Sequence, residues 1–252
     1  LNIRKFGLIG YPLGHSFSKQ FFTEKFRKES INDCSYDNYP LDNIKLLPEL
    51  VASEDDLCGL NVTIPYKTAV IPYLTDLDNE AVESDAVNVI KISGEKNDRK
   101  LKGFNTDIYG FRETILPYLS NFKFQALILG TGGGSKAVAY VLASLGIKYS
   151  IVSRNPGIDC LSYNDLNEEV LSVNRLIVNT TPQGMFPEEN TFPDIKYSCL
   201  DQKHILFDLV YNPEMTVFMK KGKERGCTVI GGLKMLHLQA EKAWSIWNDS
   251  DL

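Results

Sequence analysis

A glycine-rich turn, a lysine at the end of an apolar strand and an aspartate at a helix start have the types and spacing for one chemistry, the transfer of a hydride and a proton. Gly130-Thr131-Gly132-Gly133-Gly134-Ser135-Lys136-Ala137 follows the apolar segment Ala126-Leu127-Ile128-Leu129 and precedes an amphipathic helical pattern. That is the context of a dinucleotide site. Gly130 permits the strand-to-helix turn, Gly132 lets the backbone approach a pyrophosphate, and small Ser135 lets helix and sheet pack closely. Ordinary loops are also glycine-rich, so the next strand matters. Ile147 to Val152 is apolar and β-branched and ends at Ser153-Arg154, where this fold reads the ribose. A hydroxyl and a guanidinium there suit a 2′-phosphate, which predicts NADP rather than NAD; the alternative is one more solvated arginine.

Asn61-Val62-Thr63-Ile64-Pro65-Tyr66-Lys67 begins as a strand and ends in a proline-containing turn. Polar groups therefore gather at a strand's C-terminal end, where open α/β sheets place ligands. Lys67 is the candidate acid/base, although most lysines are merely solvated. Asp107, in Gly103-Phe104-Asn105-Thr106-Asp107, is either a helix cap or the partner of Lys67. A Lys and an Asp beside a nicotinamide suffice to move a proton while hydride leaves an alcohol carbon, with no metal. In Gly10-Tyr11-Pro12-Leu13-Gly14-His15-Ser16-Phe17-Ser18, two hydroxyls and the amides of a helix start make a carboxylate site. Asn88, between Val87 and Val89, and Gln239, inside the apolar stripe of the last helix, are polar groups that need partners. Gln239 is either a structural hydrogen-bonder or a group that lines a cavity between domains, and Asn88 is either a site residue or a strand-edge amide bonded to backbone.

The elements that must position these groups are legible from periodicity. Strands are expected at Phe6 to Ile9, Ser35 to Tyr39, Leu57 to Thr63, and Ala86 to Ile92. The last of these pairs with Lys100 to Phe104 across the turn Gly94-Glu95-Lys96-Asn97. Phe21, Phe22 and Phe26 recur at helical spacing, and Ile108, Phe111, Ile115 and Leu119 form a second helical stripe. Strands at Ala126 to Leu129, Tyr149 to Val152, Leu176 to Asn179, Ile205 to Asp208 and Thr228 to Ile230 then alternate with helical or loop segments, as in a parallel, doubly wound sheet. A helix from Leu233 to Trp247 closes the pattern.

The chain has 252 residues, 43% hydrophobic and 23% charged, with a formal net charge of −5. This is the composition of a globular protein with one large domain or two modest ones, and the acidic balance gives no reason to expect nucleic acid or an anionic membrane as partner. Neither a bilayer-spanning run nor a signal-peptide layout is seen, so a cytoplasmic location is the default expectation. The five cysteines are scattered without a C-x-x-C pair, and the three histidines lie far apart, so no disulfide framework and no metal site are expected.

Taken together, the segments Gly10 to Ser18, Asn61 to Lys67, Ala86-Val87-Asn88, Gly103 to Asp107 and the glycine run resemble the shikimate dehydrogenase family. So do Asn179-Thr180-Thr181-Pro182-Gln183-Gly184-Met185, Asp208-Leu209-Val210-Tyr211-Asn212-Pro213 and Gly232-Leu233-Lys234-Met235 with Gln239. The resemblance runs through the whole chain in order. It implies an α/β fold, an N-terminal substrate domain plus a C-terminal Rossmann-like, doubly wound NADP-binding domain, with the active site in the interdomain cleft. The substrate domain would take residues 1–105 with the C-terminal helix 233–252, and the NADP domain residues 106–232. The implied activity is the NADP-dependent, reversible interconversion of 3-dehydroshikimate and shikimate on the pathway to aromatic amino acids, by a monomer or homodimer whose partner is its small-molecule substrate.

By the same resemblance Ser16 and Ser18 would hold the substrate carboxylate with Tyr211 near it. Thr63, Asn88, Asp107 and Gln239 would bind ring hydroxyls, and Lys67 with Asp107 would be the catalytic pair. Gly130, Thr131, Gly132, Gly133, Gly134, Ser135, Lys136, Ala137, Ser153, Arg154, Thr180, Leu209 and Gly232 would contact the cofactor. Two departures stand out. Lys19 replaces the family's usual proline after the second serine, and Ser153-Arg154-Asn155-Pro156-Gly157 lacks the second basic residue usual in the phosphate-binding segment. A quinate/shikimate dehydrogenase able to use NAD is therefore the nearest rival. A non-catalytic binding module would not need Lys67 and Asp107, and a methyltransferase would leave the N-terminal clusters unexplained.

Overall fold

Neighbouring residues of the first strand serve opposite cores. Leu8 belongs to a cluster with Phe22 and Trp247, whereas Ile9 belongs to one with Leu60 and Val62. Such a strand must lie in a sheet covered on both faces. The structure is a computed structural model that describes residues 3–14, 17–96, 98–119 and 124–249. Asn97, expected in a turn, lies outside the described residues. The chain forms two compact units, Leu1–Thr106 with Gln239–Leu252, and Asp107–Leu238.

The first unit holds strands β1 (Arg4–Gly10), β2 (Cys34–Pro40), β3 (Leu57–Val62), β4 (Asp76–Leu77), β5 (Val89–Ser93) and β6 (Lys100–Phe104), in the order β2-β1-β3-β5-β6-β4. β1 runs parallel to β2 and β3, while β5 is antiparallel to both β3 and β6. The expected hairpin is present. The start of β5 therefore lies at the same end of the sheet as the ends of β1, β3 and β6, and the register aligns Leu8, Asn61, Val89 and Phe104 in one row. One face is covered by Leu47 and Val51 of helix α2 (Leu47–Ser53), Tyr66 of α3 (Tyr66–Ala69) and Ala81 of α4 (Asn79–Ser84). Phe22 and Phe26 of α1 (Phe17–Lys28) cover the other, joined by Ala240, Ala243, Ile246 and Trp247 of the final helix. Gly59 leaves the space that the Trp247 indole occupies, and the indole Nε1–H donates to the Ile90 carbonyl at 3.0 Å.

The second unit is wholly parallel. Strands β7 (Gln125–Leu129), β8 (Tyr149–Val152), β9 (Cys160–Leu161), β10 (Asn174–Asn179), β11 (Ile205–Asp208) and β12 (Thr228–Ile230) lie in the order β12-β11-β10-β7-β8-β9. The chain leaves β7 in one direction and returns to its other side at β10, so β7 and β10 flank a topological switch point. Ala126, Ile128, Leu176 and Val178 pack with α5 (Thr106–Ile115) and α6 (Gly133–Ser144). Leu127, Leu129, Ile177 and Leu206 pack with α7 (Glu168–Val173) and α8 (Val217–Glu224). The last helix, α9, spans Leu233–Asn248.

Candidate active site

At the shared sheet end of the first unit, backbone bonds tie the polar segments together. Thr63 N–H donates to Ile9 C=O at 2.9 Å, Tyr11 N–H to Ile64 C=O at 3.1 Å, and Val87 N–H to the carbonyl of Lys67 at 2.7 Å. The chain leading into Lys67 is thus pinned to the segment that carries Gly10, and the Lys67 carbonyl to the segment that carries Asn88. Thr63 and Lys67 are half-buried, Lys67 in the single-turn helix α3 that follows Pro65. Ser16 lies outside the described residues, and Ser18 is half-buried in the first turn of α1.

Asn88 sits one residue before β5 and is 3% exposed. Its Oδ1 accepts the Thr106 N–H at 2.7 Å, and its Nδ2 donates to Thr106 Oγ1 at 3.0 Å and to Gln239 Oε1 at 3.3 Å. Thr106 Oγ1 also lies 3.4 Å from Gln239 Oε1. Gln239 therefore has structural partners, and Asn88 bonds to backbone and to side chains alike. Behind this trio, Asn61 Nδ2 reaches the Asn88 carbonyl at 3.4 Å and Asn61 Oδ1 accepts the Tyr36 phenol at 2.7 Å. Burial pushes the Tyr36 phenol well above its ordinary range, and a hydrogen bond with Ser18 offsets part of that rise. The result is a buried set of neutral amides and hydroxyls, suited to a polyhydroxylated ring rather than to an ion.

In the second unit, Gly130 takes φ +112°, and a Cβ there would stand 2.7 Å from Thr180 Oγ1. Only glycine suits that turn. Thr180 crosses the switch point, its N–H and Oγ1 both donating to Leu129 C=O, at 2.9 and 2.7 Å. Gly132 caps α6 without a side chain, and nothing lies within 4 Å of where its Cβ would be. Open space in front of a helix start, at a switch point, is what a pyrophosphate requires, so these residues fit a dinucleotide. Ser135 and Ala137 lie on the buried face of α6, where small residues allow close packing.

After β8, Ser153 Oγ accepts the Asn155 N–H at 3.2 Å, while Arg154 is exposed. Burial pushes the Tyr163 phenol up and the nearby Arg154 charge partly offsets it. Leu209 N–H donates to Asn179 C=O at 3.0 Å, and Gly232 N–H to Val210 C=O at 3.2 Å, which brings those two expected cofactor contacts to adjoining chain. Asp107, 7% exposed, lies in the first turn of α5; Tyr211 is half-buried, its phenol pushed up by burial.

Sequence reasoning passed over Tyr36, which supports Asn61, and the carboxylate of Asp208, which is fully buried with Asn179 and Thr216 as partners. The available signal was a polar residue closing each of two apolar runs, Leu176-Ile177-Val178 and Ile205-Leu206-Phe207. Among the described residues, no group of three or more His, Cys, Asp or Glu could hold a metal ion, and no helix is long and apolar enough to cross a membrane.

Residues 8–90 match the family model described as shikimate dehydrogenase substrate binding domain. The shikimate dehydrogenase (NADP(+)) of Methanosphaera stadtmanae is 33% identical over 261 residues, covering 96% of this chain and 90% of the relative. The crystal structure of shikimate dehydrogenase 1 from Peptoclostridium difficile superposes with a TM-score of 0.85 at 33% identity, over 100% of this chain and 93% of that one. Shikimate 5-dehydrogenase from Thermus thermophilus, in complex with NADP(H) and shikimate, gives a TM-score of 0.84 at 28% identity, over 98% and 94% of the two chains.

Proposed function

The chain belongs to the shikimate dehydrogenase family, and from that premise we propose which of its residues carry out the reaction. The enzyme interconverts 3-dehydroshikimate and shikimate reversibly with NADP, on the pathway through chorismate to aromatic amino acids. Lys67 and Asp107 form the proton-transfer pair, taking the proton of the alcohol that is oxidised and returning it in the reverse direction. Ser16 and Ser18, with Tyr211, hold the substrate carboxylate. Thr63, Asn88, Asp107 and Gln239 bind the ring hydroxyls and so orient the reacting carbon. The glycine run from Gly130 to Ala137, with Thr180, Leu209 and Gly232, holds the dinucleotide, and Ser153 and Arg154 hold its 2′-phosphate. When bound, the nicotinamide accepts or donates the hydride.

The observation that supports this reading is the buried trio of Asn88, Thr106 and Gln239, three neutral hydrogen-bonding groups from separate chain segments gathered in one cluster, the chemistry that suits a polyol. The same proposal takes the enzyme to be a cytoplasmic monomer or homodimer with no nucleic-acid or membrane partner. A second reading, a quinate/shikimate dehydrogenase of broader range, is favoured by the single basic residue in Ser153–Gly157. Initial rates with shikimate and quinate, each against NADP and NAD, decide between them. Activity confined to shikimate with NADP supports the first; comparable rates with quinate or NAD support the second; silence in all four overturns both.

A further inference from the structure

Asn179 and Asp208 are register partners at the ends of β10 and β11, and neither is solvent-exposed. Asp208 Oδ1 accepts Asn179 Nδ2 at 2.9 Å and the Val210 N–H at 3.0 Å, and Oδ2 accepts Thr216 Oγ1 at 2.6 Å. The Asn179 amide is held in turn, its Oδ1 accepting Thr181 Oγ1 at 2.6 Å and the Thr181 N–H at 3.1 Å, while its Nδ2 also reaches Gln183 C=O at 3.3 Å. Donors from the end of β10, the chain after β11 and the N-cap of α8 thus meet on one carboxylate, and through Asn179 the chain after β10 is tied to it. A buried carboxylate with no cation beside it among the described residues is an expensive way to hold a fold together. It is an effective way to fix two loops at once, because only both sets of donors satisfy it.

Those loops carry Thr180 and Leu209 at the edge where the dinucleotide fits. Resting on that cofactor reading, we propose that Asp208 is a positioning residue for NADP, acting through Asn179 and Val210 to hold Thr180 and Leu209 in their binding arrangement. Burial pushes the Asp208 carboxyl up to about 6, against the opposing effect of its bonds to Thr216, Val210 and Asn179. Among the titratable groups on the elements packed around it, Tyr197 faces it; burial and the Asp208 charge push that phenol up, so it stays neutral. Lys221 of α8 is directed to the Phe192 and Tyr197 rings, 4.5 and 5.4 Å from their centres, and Glu188, Glu189 and Asp194 are exposed. The charge that anchors the loops is therefore present above about pH 6 and lost below it.

The test is the dissociation constant for NADP, measured by calorimetry from pH 5 to 8 on the wild-type protein, Asp208→Asn, Thr216→Val and Thr216→Ser, with thermal midpoints taken without nucleotide. Asp208→Asn is expected to bind about tenfold more weakly at pH 7.5, the worth of roughly one hydrogen bond. Its profile should retain only the titration of the nucleotide's own phosphate, which is common to all four proteins. Thr216→Val should weaken binding in the same direction, and Thr216→Ser, which keeps the hydroxyl, should restore it; this pair carries the test if Asp208→Asn does not fold. Parallel pH profiles and equal affinities, with only a lowered thermal midpoint, would overturn the proposal. So would tighter binding by Asp208→Asn, which would mean that the charge repels the nucleotide. A wild-type protein that binds no NADP at any pH would overturn the cofactor reading itself, and the proposal with it.

Discussion

Asn88 caps a helix that begins eighteen residues later, its Oδ1 accepting the Thr106 N–H at 2.7 Å. The same side chain donates to Gln239 Oε1. A residue that orients substrate hydroxyls in the proposed mechanism is therefore also a structural cap, and its removal should be felt twice.

Asn88→Ala leaves the buried Thr106 N–H without its acceptor. The expected loss of stability is about 1–3 kcal/mol, the cost of stranding a buried polar group, together with a raised KM for shikimate. Urea unfolding and steady-state kinetics on one preparation check both. An unchanged unfolding midpoint would show that Asn88 does not cap α5.

Lys67→Ala should lower kcat by about 10²- to 10⁴-fold, the usual worth of a positioned acid or base, with little change in the KM for shikimate. Because the Lys67 carbonyl receives Val87 N–H, a backbone contact that alanine keeps, the fold should survive. A raised KM with turnover intact would make Lys67 a binding residue instead.

Arg154→Ala should weaken NADP by about 10- to 100-fold, as expected for one charge-assisted contact, and leave NAD nearly unaffected. Affinities for both nucleotides give the ratio directly. Equal losses on the two would remove Arg154 from the 2′-phosphate.

Gly130→Ala forces a side chain into φ +112° and against Thr180 Oγ1. Strain of this kind costs about 1–3 kcal/mol and should distort the turn that precedes α6. A fall in thermal midpoint with a parallel loss of NADP binding is the expected result; wild-type behaviour in both would show that the turn tolerates a Cβ.

Asp208 also sets a pH dependence of stability. A carboxyl whose native pKa is raised from 3.8 to about 6 contributes stability that is fully present below its unfolded value and lost as pH rises through about 6. Two pKa units correspond to about 3 kcal/mol. Asp208→Asn lacks this titration, so its stability relative to wild type should improve between pH 4 and 7. Urea midpoints across that range that stay a constant distance apart would contradict the assignment.

The parts of this fold that were legible were those whose signal is local. Ala126 to Leu129 is an unbroken apolar run beside a glycine turn, and Asn88 is a polar residue between two valines; each announces itself within a few residues. Tyr36 was hidden because its phenol meets Asn61 twenty-five residues on, and β2 carries no sign of which strand that will be. The Asp208 network was hidden for the same reason. Asn179 and Asp208 look like ordinary strand ends until the register places β10 beside β11, and Thr216 looks like the cap of α8 alone. The short strands Asp76–Leu77 and Cys160–Leu161 are too brief to show an alternation.

Gln239 lies 151 residues beyond Asn88, and that separation imposes an order on birth. A ribosome adding about 5–20 residues per second makes Asn88 roughly 8–30 seconds before Gln239. Throughout that interval the sheet of the first unit lacks the Trp247 indole beside Gly59, and the whole of the second unit is translated in between. The buried trio of Asn88, Thr106 and Gln239 is thus a late assembly of the nascent chain, and it cannot form until α9 has been made.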